Sequence, residues 1–305
     1  MGRKRIRIME YVIETKDLTK RFPRKLALDN VNMHVQKGDI YGFIGKNGAG
    51  KTTAMKLILG LITATHGSVE LFGSKDLQKG RARIGSLIEA PGLYTACSAY
   101  ENMKRFSILN GGTDKDIKEI LELVGLGDVG KRKAGHFSLG MKQRLGIAIA
   151  VLGNPDILVL DEPINGLDPA GIKEIRDTLL RLHDERGVTI LISSHILDEL
   201  AKITTRYGII NDGKLVEEIA ADELMERCKQ NLRIKVSDTK KALGILEKAN
   251  LLGAHSTDGG SIVLFEHFEH PGEINELLVK GGIRVDELCA SNSGFEDYFI
   301  ERIGR

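Results

Sequence analysis

No apolar run in this chain of 305 residues approaches the roughly 20 residues needed to cross a bilayer. The longest, residues 147–152 and 157–160, read as buried elements, so no membrane-spanning segment is expected. A secretory leader is not expected either. The basic residues Arg3, Lys4, Arg5 and Arg7 run into Met9-Glu10-Tyr11-Val12-Ile13-Glu14 rather than an uninterrupted apolar core. Met9 is an alternative start, and Ile6 stands where myristoylation after Gly2 would need Ser or Thr. Cysteine is scarce. Cys97, Cys228 and Cys289 lie far apart without Cys-x-x-Cys spacing, which fits a reducing compartment better than a disulfide framework or a zinc site. His267 and His270 have no second ligand pair nearby and read as a solvated pair. An excess of one charge is also missing. Lys+Arg 44 against Asp+Glu 42 leaves a formal charge of +2, so bulk nucleic-acid binding is not expected, and the basic cluster reads as a solvated tail.

What remains is an ordinary globular composition, 42% hydrophobic and 28% charged, in a chain long enough for one large core and a second small one. Short apolar runs bounded by Gly and charge, at residues 11–13, 31–35, 40–44 and 69–72, read as strands. Residues 52–61 read as a mostly apolar helix, and residues 100–126 have helical spacing and no strand signal. Residues 157–160 and 188–192 are continuous apolar runs of the kind found in parallel strands covered on both faces. Helical signal at 170–183 between them makes a strand-helix-strand crossover, hence an α/β core. Asp212-Gly213 joins two short runs as a hairpin. Beyond about residue 220 the pattern changes. Runs at 232–236, 262–265 and 283–285 alternate with helix-like 240–249, 273–279 and 294–303, predicting a small α+β unit. The expected domains are therefore 1–220, with a helical subdomain at about 92–152, and 221–305.

Gly45-Lys46-Asn47-Gly48-Ala49-Gly50-Lys51-Thr52-Thr53 has the spacing of a phosphate-binding loop and lies between a predicted strand and a predicted helix. Backbone N–H groups there can curl around phosphate oxygens at a helix start, and a Cβ would block the curl. Lys51 suits the β- and γ-phosphates of a bound nucleotide, and the Thr52 hydroxyl suits Mg²⁺. A glycine-rich turn without ligand is the plainer alternative. Residues 157–160 deliver Asp161 and Glu162 at a strand end, where open α/β sheets bind ligands. Asp161 suits Mg²⁺, and Glu162 suits orienting or deprotonating the attacking water. Taken alone, two acids after a strand are as easily solvated turn residues.

On these residues the chain resembles the ABC ATPase family over about residues 10–219. Phe137-Ser138-Leu139-Gly140-Met141-Lys142-Gln143-Arg144 is similar to the family's signature sequence, with Leu139 where a Gly is usual and Met141 where Gln is usual. The resemblance implies a P-loop ATPase core, with mixed sheet plus helical subdomain, in which Ser138 and Gly140 meet the γ-phosphate of a second copy in an ATP-sandwich homodimer. Considered alone, Ser138 would be a helix N-cap. The resemblance further implies that Asn165-Gly166-Leu167-Asp168 is the loop crossing between subunits, that His195 contacts the γ-phosphate, and that Phe22 stacks on adenine. Glu89 stands where the family has a glutamine that approaches Mg²⁺ or water and couples to a membrane permease along residues 89–100.

Within the family, Glu89, the signature segment and Ser293-Gly294-Phe295-Glu296-Asp297-Tyr298-Phe299 resemble the ATPases of bacterial bacitracin and lantibiotic exporters. The implied protein is a cytoplasmic ATPase on the inner face of the membrane, powering export of a peptide antibiotic through a separate permease. An antibiotic-sensing module that signals to a kinase and a soluble ABC ATPase without a transporter remain alternatives.

Overall fold

The computed structural model describes residues 10–228, 231–253, 255–258, 260–264, 266–267, 269–291 and 295–303. The N-terminal basic cluster, Met9, and the positions Phe265, Ser293 and Gly294 lie outside them. The chain forms two compact units divided between Ala221 and Asp222.

The first unit opens with β1 (Tyr11–Phe22), β2 (Lys25–Val31), β3 (His34–Gln36) and β4 (Ile40–Ile44). The apolar run at 31–35 is therefore not one strand. Thr15 donates its hydroxyl to Val31 O and accepts from Met33 N, which holds the chain in a corner between β2 and β3. Next come α1 (Lys51–Ile58), β5 (His66–Leu71), α2 (Leu77–Arg81) and β6 (Ile84–Leu87). Helix α1 ends before the predicted 61 because Arg81 donates to the carbonyls of Leu57 and Ile58 and closes its last turn.

The predicted helical segment contains α3 (Ala99–Asn110), α4 (Asp114–Leu123) and α5 (Leu139–Val151). Ser98 and Thr113 begin α3 and α4 with reciprocal capping boxes. The unit finishes with β7 (Ile157–Asp161), α6 (Pro169–Arg186), β8 (Thr189–Ser194), α7 (Leu197–Ala201), β9 (Arg206–Asn211) and β10 (Lys214–Ala220).

Strands β2, β3 and β5 all pair antiparallel with the long β1. The larger sheet runs β10-β9-β4-β8-β7-β6, parallel except for the β9–β10 hairpin. Every residue of β4, β7 and β8 is buried, as expected for parallel strands covered on both faces. Ile13, Leu28, Phe43, Met55 and Val159 share one core, so the antiparallel layer, α1 and the parallel sheet are packed together. Burial of each such side chain is worth about 1.5–3 kcal/mol relative to exposure. At the other end of β4, Tyr41 and the ring nitrogen of His34 both bond Glu218 of β10, at 2.7 Å each. Burial and the neighbouring Glu218 carboxylate push the Tyr41 phenol well above its usual range.

The second unit continues from α8 (Ala221–Arg227) into β11 (Asn231–Val236), α9 (Thr239–Lys248), β12 (His255–Asp258), β13 (Ser261–Leu264), α10 (Pro271–Lys280), β14 (Val285–Ser291) and α11 (Phe295–Ile303). Its antiparallel sheet has the order β12-β13-β11-β14. With β-α-β-β-α-β connectivity this is the split βαβ arrangement. Leu232, Ile234, Leu246, Ile262, Ile274 and Leu278 form its own core. The last strand begins at Val285 rather than 283, because Ile283 is buried in the turn after α10 and the pairing with β11 shifts at Lys235–Val236.

Candidate active site

The loop at 45–53 leaves the buried strand β4 and enters α1, as the spacing predicts. Gly50, at φ 116°, is the N-cap, and no side chain caps the helix. Gly48 also has positive φ, 81°, and a Cβ on Gly45 would stand 2.4 Å from Ile210 O. These three positions need glycine. Gly213, in the hairpin turn of β9 and β10, donates to Ala49 O at 2.9 Å and accepts from Asp29 N at 2.9 Å. The loop is thus fastened from behind by that turn.

The Lys51 side chain is only 4% exposed, so its ammonium needs partners. It donates to Gly45 O at 2.6 Å and Lys46 O at 3.3 Å and pairs with Glu162 Oε1 at 3.2 Å, which uses its three donors. Thr52 Oγ1 donates to Asp161 Oδ2 at 2.8 Å. Ser193 Oγ donates to Asp161 Oδ1 at 2.7 Å and accepts from Glu162 N at 2.9 Å. His195 Nδ1 lies 2.9 Å from Glu162 Oε2. The strand ends of β7 and β8 therefore bring Asp161, Glu162, Ser193 and His195 to the start of α1. Glu162 has φ 48°. A left-handed non-glycine residue costs on the order of 1–3 kcal/mol and persists where its surroundings hold it, as Ser193, His195 and Lys51 do here.

Beside them lies a cleft of about 270 Å³ lined by the Phe22 ring, Lys25, Ala27, Asn47, Gly48, Gly50, Lys51, Thr52, Thr53 and Glu162. Lys20 Nζ is 5.1 Å from the Phe22 ring centroid. The loop residues Gly45, Lys46 and Ala49 support this lining without contributing to it. Ser138 caps α5 by accepting from Met141 N at 3.2 Å, and neither it nor Gly140 lines the cleft. Leu139 packs toward Gly166, and Gly140 toward Leu167 and Gly171, so the start of α5 and the loop before α6 form one surface. Glu89 also stands outside the cleft, paired with Lys56 at 2.6 Å. Two residues that matter to this geometry carried no sequence signal of their own: Ser193, which bridges both acids, and Lys25, which donates to Gly48 O at 3.0 Å.

The ABC transporter family profile matches residues 28–165. The chain is 43% identical over 301 residues to a bacitracin transport ATP-binding protein of Enterococcus faecalis, covering 97% of this chain and 98% of that one. The chain belongs to the ABC transporter ATP-binding family. A second bacitracin transport ATP-binding protein, from Bacillus licheniformis, is 44% identical with the same coverage. A lantibiotic transport ATP-binding protein of Streptococcus pyogenes is 45% identical over 207 residues, 68% of this chain and 90% of that one. A solved ATP-binding cassette in a dimeric post-hydrolysis state, bound to ADP and Pi, superposes with a TM-score of 0.62 at 27% identity, covering 68% of this chain and 98% of that one. This ABC ATPase is thus a nucleotide-hydrolysing subunit of an ABC transporter. Among the described residues, no helix is long and apolar enough to cross a membrane.

Proposed function

We propose that two copies of this ABC ATPase close on ATP and power the export of a peptide antibiotic or similar amphiphile through a separate membrane permease, which holds them at the cytoplasmic face. The observation that carries the hydrolytic part is the set Thr52–Asp161–Ser193 and Lys51–Glu162–His195, joined by contacts of 2.7–3.2 Å at an uncapped helix start. The cargo follows from near-full-length similarity to two ATPases named for bacitracin transport.

In this reading the amides of residues 46–52 and the Lys51 ammonium take the β- and γ-phosphates, with Lys51 exchanging the carbonyls of Gly45 and Lys46 for phosphate oxygens. The free face of Phe22 stacks on adenine. Glu162 orients a water in line with the γ-phosphorus and accepts its proton as the bond to ADP breaks. His195 fixes the Glu162 carboxylate through Oε2 and reaches the γ-phosphate. Thr52 and Asp161 present hard oxygens side by side, and among the described residues no group of three His, Cys, Asp or Glu side chains forms a cage of its own. That donor set fits Mg²⁺, which takes few protein ligands and completes its shell with phosphate and water. Bound there, Mg²⁺ neutralises charge on the phosphates.

Ser138 is exposed at the start of α5, and a second copy facing the first would bring it and Gly140 to the γ-phosphate. Hydrolysis and phosphate release then remove charge from the interface and reopen it. On α3, Ile108 and Leu109 are 79% and 83% exposed, and exposed Tyr94 packs on Phe106 of the same helix. These exposed apolar side chains on and before α3 support docking of the permease there, with Glu89 coupling it to nucleotide. No nucleic acid is expected as partner.

The decisive experiment is Glu162→Gln with ATP, read by hydrolysis and sedimentation. Loss of hydrolysis with a trapped, nucleotide-dependent dimer is expected. A persistent monomer would overturn the shared site. For the cargo, deletion of the gene in its host is expected to lower tolerance to bacitracin or a lantibiotic, and unchanged tolerance to both would remove the peptide-antibiotic assignment.

A further inference from the structure

Glu89 and Glu162 occupy equivalent places on neighbouring strands. Leu87 of β6 pairs with Leu160 of β7, so each glutamate stands two residues beyond a member of the same pair. Both have left-handed backbone, φ 63° and 48°. Parallel strands lie about 4.8 Å apart, so the two acids leave the same edge of the sheet side by side. Each is held by a lysine of α1. Lys51 reaches Glu162 at 3.2 Å, and Lys56 reaches Glu89 at 2.6 Å.

The difference lies in where each lysine sits. Lys51 opens α1, beside the cleft, whereas Lys56 lies four positions after Thr52, one turn further along the same face. Its grip draws Glu89 away from the helix start, and only Glu162 of the two lines the cleft. The Glu89 side chain is 66% exposed and that of Lys56 30%, so this pair belongs to the weak class that water and salt compete with readily. A contact that must open at each turnover has to be of that kind.

We propose that Lys56 is a positioning residue, whose ion pair is a latch keeping Glu89 turned from ATP until the permease bears on the exposed segment after β6. The inference rests on the reading of Glu89 as the coupling residue.

The test uses the full chain, alone and reconstituted with its permease in vesicles. Lys56→Met is expected to raise ATP hydrolysis without permease about two- to fivefold, the range of an exposed ion pair. Stimulation by the permease should fall by the same factor, with kcat moving more than KM. Without any nucleotide, amide hydrogen exchange at residues 88–92 should quicken. Lys56→Arg should keep wild-type values, and the double variant Lys56→Glu with Glu89→Lys should return the slow exchange. Unchanged rate and exchange in Lys56→Met, or a lower rate without faster exchange, would overturn the latch. Glu89→Ala separates the two readings: if the permease stimulates that variant as it does wild type, the coupling role of Glu89 fails whatever Lys56→Met does.

Discussion

Helices α1 and α5 both begin at a glycine-bearing segment that the proposed mechanism assigns to ATP, α1 to the chain's own nucleotide and α5 to that of a second copy, yet they begin differently. A helix start leaves four N–H groups without intrahelical partners. In α1 the N-cap is Gly50 and no side chain satisfies them, so the start is available to an anion. In α5 the Ser138 hydroxyl already accepts from Met141 N, which leaves its own proton as the group it can offer to phosphate. In the proposed mechanism the first start is the phosphate cradle, whereas the second is a finished helix end that would act only on a nucleotide presented by another copy. On that proposal the uncapped start of α1 takes the primary phosphate site and the capped start of α5 an accessory contact.

The largest effect should come from filling the cradle. Gly50→Ala would force a side chain onto φ 116° and put its Cβ 2.8 Å from Ala27 O. Strain of this kind should weaken binding of a fluorescent ATP analogue roughly 10- to 100-fold. Gly140→Ala would meet only ordinary contacts at 3.7 and 3.8 Å, so its melting temperature should stay near wild type while hydrolysis falls. Equal loss of nucleotide affinity in both variants, by titration of each monomer, would erase the distinction between the two starts.

Next in size is Ser193→Ala. It removes a donor to the buried Asp161 carboxylate and an acceptor for Glu162 N, and should lower stability by about 1–3 kcal/mol in denaturant titration together with slower hydrolysis. Ser138→Ala should cost about 1 kcal/mol of stability as a lost cap, and additionally the ATP-dependent dimer in the Glu162→Gln background. A stability loss with the dimer intact would reduce Ser138 to a cap.

The smallest effect lies away from both starts. The Arg83 guanidinium, bonded at 2.8 Å, holds the Asp156 carboxyl below its usual range. A depressed folded pKa contributes stability that is present above the unfolded pKa, near 4, and is lost as pH falls through the folded value. Both side chains are about half exposed, so the contribution should be under about 1 kcal/mol. Asp156→Asn should destabilise at pH 7 by that amount and converge with wild type in acid.

The buried parallel strands β4, β7 and β8 were legible because covering both faces demands continuous apolar sequence. Strand β6 was not, since Ile84-Gly85-Ser86-Leu87 breaks the run. Its glycine is required because a Cβ there would stand 1.9 Å from Ala150 O, a constraint that exists only once α5 is packed against it. The polar β12, His255-Ser256-Thr257-Asp258, gave no strand pattern for a similar reason: its place depends on pairing with β13. At the site, the loop at 45–53, Asp161 and Glu162 were readable from order and spacing, and His195 only through the family resemblance. Ser193 and Lys56 were not, because a serine before a histidine and a lysine on a helix acquire meaning only through what stands opposite them.

The turn at Gly213 grips the phosphate loop at Ala49 and β2 at Asp29, and it closes the same ribbon whose outgoing strand, β10, is the covalent road to the second unit. Any displacement of β10 would therefore reach the loop at 45–53 through the backbone of Gly213.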